Sequence, residues 1–329
     1  MKIAIITPAA ARSRNGNRNT AARWARLIRD LGHRVSVEQA WGGAPADLMI
    51  ALHARRSHDS IARYAARYPD RPLVVVLTGT DLYRDLAIDA HAKRSLALAT
   101  RLVVLQDRGP LNVPRRFRDK TRVIYQSAHP VACAQPLGSC FEVVVSGHLR
   151  HEKDPFRAAA ALSHLPATSR IRVTHLGGVL AERMANEARL WMAREPRYRW
   201  RGELPHARAR RVLARSRLMV ISSRMEGGAN VVCEALACGV PVLASRIAGN
   251  VGMLGADYPG YFALENEAAL ARLLHRAETD RAYYERLKKA CAARAHLVKP
   301  RAEGAALRRL IAELAPPEVS SRARARAAA

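Results

Sequence analysis

Aromatic residues supply only 5% of the chain, and 28 acidic residues face 55 lysines and arginines. No apolar run approaches the ~18 residues of a membrane-spanning helix, so stable membrane insertion is not expected. The opening MKIAIITPAA is too short in its apolar part for a secretory signal and reads as a first strand. So few aromatics leave little for stacking on bases. No RRM, zinc-finger or basic-zipper pattern stands in their place, and no nucleic-acid partner is expected. Cysteine is sparse too. Cys133, Cys140, Cys233, Cys238 and Cys291 make an odd count without metal-ligand spacing. They read as small packing residues in a reducing cytoplasm, with no metal site.

What is present is charge and apolar sequence. A formal net charge of +27 favours anionic partners and says nothing about fold. With 49% hydrophobic residues over 329 positions, the chain can fill two domains. Strand and helix patterns alternate along it. Lys2–Thr7 reads as a strand. Thr20 reads as the cap of a helix with the stripe Trp24, Leu27, Ile28 and Leu31, ended by Gly32. Further strands are expected at Val35–Val37, Leu48–Leu52, Leu73–Leu77, Leu102–Leu105 and Val123–Tyr125. After a linker at Ala134–Ser139 the alternation resumes at Phe141–Val145, Ile171–His175, Leu218–Ile221 and Val240–Ala244. This pattern predicts an α/β chain of doubly wound parallel sheets. The expected domains are 1–136 and 137–299, followed by a helical segment 300–316 and a disordered tail 317–329.

The most informative stretch is Ser222–Ser245, SSRMEGGANVVCEALACGVPVLAS. An apolar strand runs into a glycine loop carrying Glu226. A helix from Asn230 then carries Glu234 and stops at Gly239. The helix start suits a phosphate, since its free N–H groups and dipole attract anions. Eight residues at helical rise cover about 12 Å, so the two glutamates can bracket an elongated phosphate ligand.

The Glu-x7-Glu spacing, followed by E-A-L-A-C-G-V-P-V, resembles the signature of family-4 glycosyltransferases. That resemblance implies the GT-B fold, two doubly wound Rossmann-like domains facing a central cleft. It also implies that Glu226 contacts donor-sugar hydroxyls and Glu234 the ribose. The amides of Gly227, Gly228, Ala229, Asn230 and Val231 would lie against sugar and diphosphate. Gly147-His148-Leu149-Arg150-His151-Glu152-Lys153 resembles the family's G-R-L-x-x-x-K segment, with Lys153 neutralising the departing diphosphate. The family's arginine is His148 here, so either His148, as a cation, or Arg150 takes its place. The turn around Leu204 resembles the one that meets the base, and implies a UDP-sugar donor. Ile247–Asn250 stands where the family has a glycine-rich loop near the diphosphate.

Three loops of the first half hold the expected acceptor residues: Arg14, Asn15, Gly16, Asn17 and Arg18; His53, Arg55 and Arg56; and Thr78, Gly79, Thr80 and Asp81. Guanidinium groups bind oxyanions in bidentate fashion, so this set suits a small, highly charged acceptor. Together NGNRNTAARWARLIRDLGHRV, LHARRS and LTGTDLY resemble the selenosugar synthases of selenoneine biosynthesis. That resemblance implies joining selenophosphate to UDP-N-acetylglucosamine or UDP-glucose, with a functional link to other enzymes of that pathway. It implies no cofactor beyond these substrates and no metal. The alternative is an ordinary family-4 enzyme acting on a lipid-linked or polysaccharide hydroxyl.

Overall fold

The computed structural model describes residues 1–10, 16–131 and 135–315. The expected tail 317–329, Arg14, Asn15 and Cys133 lie outside them. The chain forms two compact units, Met1–Gln126 with the segment from Pro300, and Ser127–Lys299.

The first unit is built on six parallel strands: β1 Lys2–Ile6, β2 Arg34–Glu38, β3 Leu48–Leu52, β4 Leu73–Leu77, β5 Arg101–Val104 and β6 Thr121–Val123. Their order is β2-β1-β3-β4-β5-β6. Ile5 pairs with both Val37 and Ile50, and Ile50 pairs in turn with Val74. The sequences LMIAL and LVVVL are buried at every position because helices cover both faces of the central strands. On one face lie Trp24, Ala25 and Ile28 of helix Gly16–Asp30, with Leu307, Leu310 and Ile311 of helix Pro300–Leu314. On the other lie Trp41, Ile61, Tyr64 and Leu96.

Helix Gly16–Asp30 begins a turn before the expected cap. Thr20 is inside it, and its hydroxyl bonds back to the Gly16 carbonyl at 2.9 Å and to Gln126 at 2.5 Å. Glu303 is buried against the same helix. It accepts from Trp24 Nε1 at 2.7 Å and from Arg23 Nε at 2.9 Å. Arg23 Nη2 also reaches Gln126 Oε1 at 2.7 Å.

The division after Gln126 falls before the linker expected at Ala134–Ser139, for a physical reason. Ile124 is in the first unit's core and the Gln126 side chain is bonded there. The amide of Ala128 already bonds the Val298 carbonyl, and Arg210 donates to the carbonyl of His129, both within the second unit.

The second unit repeats the plan: β7 Phe141–Ser146, β8 Ile171–Leu176, β9 Tyr198–Trp200, β10 Leu218–Ile221, β11 Val242–Ser245 and β12 Tyr261–Phe262. The order is β12-β11-β10-β7-β8-β9, again all parallel. Glu142 lies within β7 yet is buried. Arg215 at 3.0 Å and the Thr174 hydroxyl at 3.0 Å satisfy its carboxylate. Among the described residues no helix is long and apolar enough to cross a membrane.

Candidate active site

In a doubly wound sheet, ligands collect beyond the carboxyl ends of the strands where the winding reverses. In the second unit that point lies between β7 and β10. The loop after β7 carries Gly147 to Asp154, and the loop after β10 carries Ser222 to Ala229. The two loops are laced together. Ser222 Oγ donates to the Asp154 carbonyl at 2.8 Å, and the Arg224 amide donates to the Glu152 carbonyl at 2.9 Å. The Arg224 guanidinium reaches the His151 carbonyl at 2.8 Å. These bonds shape the short 3-10 turn His151–Lys153 that presents the lysine.

Lys153 Nζ then meets Glu226 Oε1 at 2.6 Å. The same oxygen accepts from Ser223 Oγ at 2.5 Å. Both donors fall on Oε1, so Oε2 takes no hydrogen bond from the described residues. Gly147, Lys153, His175, Ser222, Ser223 and Glu226 line a small pocket here. Beside it, helix Asn230–Cys238 starts from Ala229, whose side chain supplies no cap, and has no acidic residue in its first turn. Such a start attracts an anion. Gly227, Gly228 and Ala229 pack tightly beneath it, while Asn230 and Val231 are half-buried. Glu234, on the same helix, accepts from His206 Nε2 at 2.7 Å. Leu204 is half-buried in the turn just before the helix bearing His206.

His148 accepts at Nδ1 from the Gly178 amide at 3.1 Å. An N–H donates to a ring nitrogen's lone pair, so Nδ1 is engaged within the protein. The Arg150 carbonyl accepts from the Lys153 amide at 2.9 Å, while its side-chain Nε is buried without a partner among the described residues.

Sequence reasoning missed two supports of this site. Gly249 lets its helix touch the Glu226 loop. A Cβ at Gly249 would lie 2.0 Å from the Glu226 carbonyl oxygen and 3.0 Å from its Cβ. Gly249→Ala is therefore expected to displace Glu226 and lower kcat/KM by about 100-fold, as misplacements near 1 Å do; steady-state kinetics with unchanged folding checks it.

The second support is His175. It is buried, with Nε2 on the Gly147 carbonyl at 3.1 Å and Nδ1 on Tyr198 Oη at 2.8 Å. The only signal in sequence was a polar residue closing an apolar strand. Burial pushes this imidazole down from 6.5 to about 4, against the pull of the Gly147 carbonyl. Between those values the unfolded chain binds a proton that the folded chain refuses, so stability falls as pH drops through this window. The loss at its acid end is about 3 kcal/mol. Denaturant unfolding at pH 7 and pH 4.5 measures it, and His175→Gln should flatten the difference relative to wild type.

In the first unit the winding reverses between β1 and β3. Gly16, Asn17 and Arg18 open helix Gly16–Asp30 after β1. The loops after β3 and β4 meet through His53, which has φ 74° and bonds Thr80 Oγ1 at 3.0 Å. Asp81 is wholly buried. Its Oδ1 accepts from the amides of Thr78 and Gly79, both at 2.9 Å, and its Oδ2 from Ala54 at 3.0 Å. Asp81 thus shapes these loops from below, and His53 is as deeply placed. Their expected direct contact with an acceptor gives way to a supporting role, because neither reaches solvent. Burial pulls the His53 imidazole down, the nearby Asp81 carboxylate notwithstanding. Asp85 is also buried, and it is held by Arg55 at 2.8 Å and Arg84 at 3.2 Å. Arg56 is exposed and makes no side-chain bond to the described residues.

Two Rossmann-like units, each with its loops gathered at a sheet reversal, are the GT-B architecture of glycosyltransferases, and solved structures share it. HepE (Alr3699) of Anabaena, crystallised with UDP and glucose, is similar at 17% identity and TM-score 0.76, covering 95% of this chain and 100% of that one. Sucrose-phosphate synthase from Thermosynechococcus elongatus is similar at 16% identity and TM-score 0.76, covering 95% and 98%. An α,α-trehalose-phosphate synthase from Burkholderia xenovorans, crystallised with glucose-6-phosphate, is similar at 9% identity and TM-score 0.66, covering 81% and 73%. Residues 139–294 match the family described as glycosyl transferases group 1. The matched stretch lies within the second unit. No curated protein matches it.

Proposed function

We propose that this enzyme transfers a hexose from a UDP-sugar to selenophosphate, releasing UDP. The second unit holds the donor, as the UDP-bound relatives of this fold suggest. Glu226 Oε2 receives a sugar hydroxyl, Glu234 the ribose, and the start of helix Asn230–Cys238 the diphosphate. Lys153 and Arg150 neutralise the diphosphate as the bond from the anomeric carbon to its oxygen breaks. Arg150 is preferred to His148 because its guanidinium is always charged and its Nε has no partner among the described residues.

One observation carries the choice of acceptor. The carboxylates of the loops after β3 and β4 are consumed internally, Asp81 by amides and Asp85 by arginines. None is left to grip sugar hydroxyls, whereas the guanidinium of Arg56 stands exposed beside that of Arg55. Such a surface favours an oxyanion over a neutral alcohol. Glucose-6-phosphate in the trehalose-phosphate synthase is a phosphate ester held by the same fold. The selenium of selenophosphate attacks the anomeric carbon and UDP leaves. Water then cleaves the selenium–phosphorus bond to release phosphate and the selenosugar. A selenium anion is already nucleophilic, so electrostatic placement is the protein's main task.

The test is mass spectrometry of products formed from selenophosphate with UDP-N-acetylglucosamine and UDP-glucose in turn. A selenosugar is expected, and an enzyme that glycosylates only hydroxyl acceptors would overturn the proposal in favour of the ordinary family-4 activity. Arg56→Ala should raise the KM for selenophosphate about 10-fold or more while the KM for the UDP-sugar stays nearly constant. Arg56→Lys, which keeps the charge but loses the fork, should fall between them.

A further inference from the structure

Behind Glu226 runs a line of buried polar groups that the transfer reaction does not itself employ. Asn250, on helix Ala248–Leu254, donates from Nδ2 to the Ser245 carbonyl at 2.9 Å and to Ser245 Oγ at 3.1 Å. Ser245 Oγ donates to the Ser223 carbonyl at 2.6 Å. Ser223 Oγ ends the line on Glu226 Oε1. Ser223, Ser245 and Asn250 are all but closed to solvent. Among the described residues Asn250 Oδ1 has no hydrogen-bond partner. An orphaned amide oxygen in a core is destabilising, and an apolar side chain there would avoid it. Its retention points to a use for the bonds that Nδ2 makes.

We propose that Ser223, held through Ser245 by Asn250, is a positioning residue that sets the choice among donor sugars. The last torsion of a glutamate is broad and nearly two-fold, so an unrestrained carboxylate swivels to suit whichever hydroxyl arrives. Here Ser223 and Lys153 both bond Oε1, and any swivel breaks both. Oε2 then presents one acceptor position to the pocket that Glu226 lines. A hydroxyl of one configuration meets that position and its epimer does not, leaving a polar group unpaired in the wrong complex. The lysine can turn toward an arriving diphosphate. Ser223 is buried and Ser245 holds its backbone in place, so its hydroxyl stays beside Glu226 once the donor is bound. This inference rests on the reading of Glu226 as the contact to the donor sugar.

The experiment compares wild type, Ser223→Ala, Ser223→Thr, Asn250→Ala and Glu226→Gln on each UDP-hexose and its C4 epimer, with UDP binding followed by calorimetry. Ser223→Ala should lower kcat/KM for the preferred epimer by about 10- to 100-fold and bring the ratio of the two toward unity. UDP affinity should hold, since UDP carries no sugar. Asn250→Ala should move the ratio the same way, and Ser223→Thr should restore it by returning the hydroxyl. An unchanged ratio in Ser223→Ala overturns the proposal, as does a parallel loss of UDP affinity, which marks general damage to the loop. If Glu226→Gln erases the ratio and Ser223→Ala does not, the positioning role alone fails. If Glu226→Gln also leaves the ratio intact, the reading of Glu226 fails and takes this inference with it.

Discussion

Lys153→Ala is expected to lower kcat by about 10²–10³-fold, the usual cost of removing one preorganised donor from a developing anion. The KM for the UDP-sugar should change far less. Charge accumulates on the leaving diphosphate in the transition state, so a cation placed for it contributes mainly there. The geometry of the site points the same way. Lys153 rests on Glu226 at 2.6 Å with only a quarter of its side chain exposed. It is therefore already oriented and partly desolvated before a donor arrives. Lys153→Arg, which keeps the charge but is longer and planar, should recover part of the rate. Steady-state kinetics at several donor concentrations separates the two parameters. A variant with normal kcat and a raised KM would reassign Lys153 to ground-state binding of the nucleotide.

Glu303→Ala is expected to destabilise the first unit by about 3–5 kcal/mol, the range for stripping one partner from a buried ion pair. The carboxylate has no exposed side-chain surface, and Arg23 is 14% exposed. Alanine would take away the carboxylate that Arg23 Nε and the Trp24 indole N–H share. It would also loosen Gln126, which shares Arg23 and Thr20. Glu303→Gln should cost less, because the amide oxygen still accepts from Trp24. Denaturant unfolding followed by tryptophan fluorescence, with Trp191 and Trp200 of the second unit replaced by Phe, reports on this unit, and a shift below about 1 kcal/mol would show that the network contributes little beyond its packing.

Much of the architecture follows from runs that any folded context would bury. LMIAL and LVVVL have no polar face to turn toward water, so they become central strands flanked by helices. The Glu226-Gly227-Gly228 loop, the helix from Asn230 and the left-handed Gly239 that stops it are local consequences of residue type, readable from a few neighbours. Strand ends moved by a residue or two: β6 lies at Thr121–Val123 rather than Val123–Tyr125. The helix Gly16–Asp30 starts before Thr20, because Thr20 finds its partner in Gln126, far along the chain.

Residue type and spacing also marked Glu226, Lys153 and the arginine-bearing loops as chemistry. What they did not carry was how those groups are used. Whether a carboxylate is free or consumed depends on which amide or guanidinium reaches it, and these partners come from other strands. Asp81 reads as a ligand contact in LTGTDLY, yet three backbone amides, one of them from the loop after β3, draw it into the interior. His148 reads as a substitute for the family's arginine, and the structure puts its Nδ1 on the Gly178 amide. The pairing of Lys153 with Glu226 spans 73 residues and that of Trp24 with Glu303 spans 279. The sequence by itself determined two parallel sheets and the residue types at their carboxyl ends, because hydrophobic period and turn chemistry act over short stretches. Only the tertiary structure decided which of those polar groups satisfy one another and which remain open to a ligand, because burial makes every unpaired group costly and the partners that relieve it are distant in the chain.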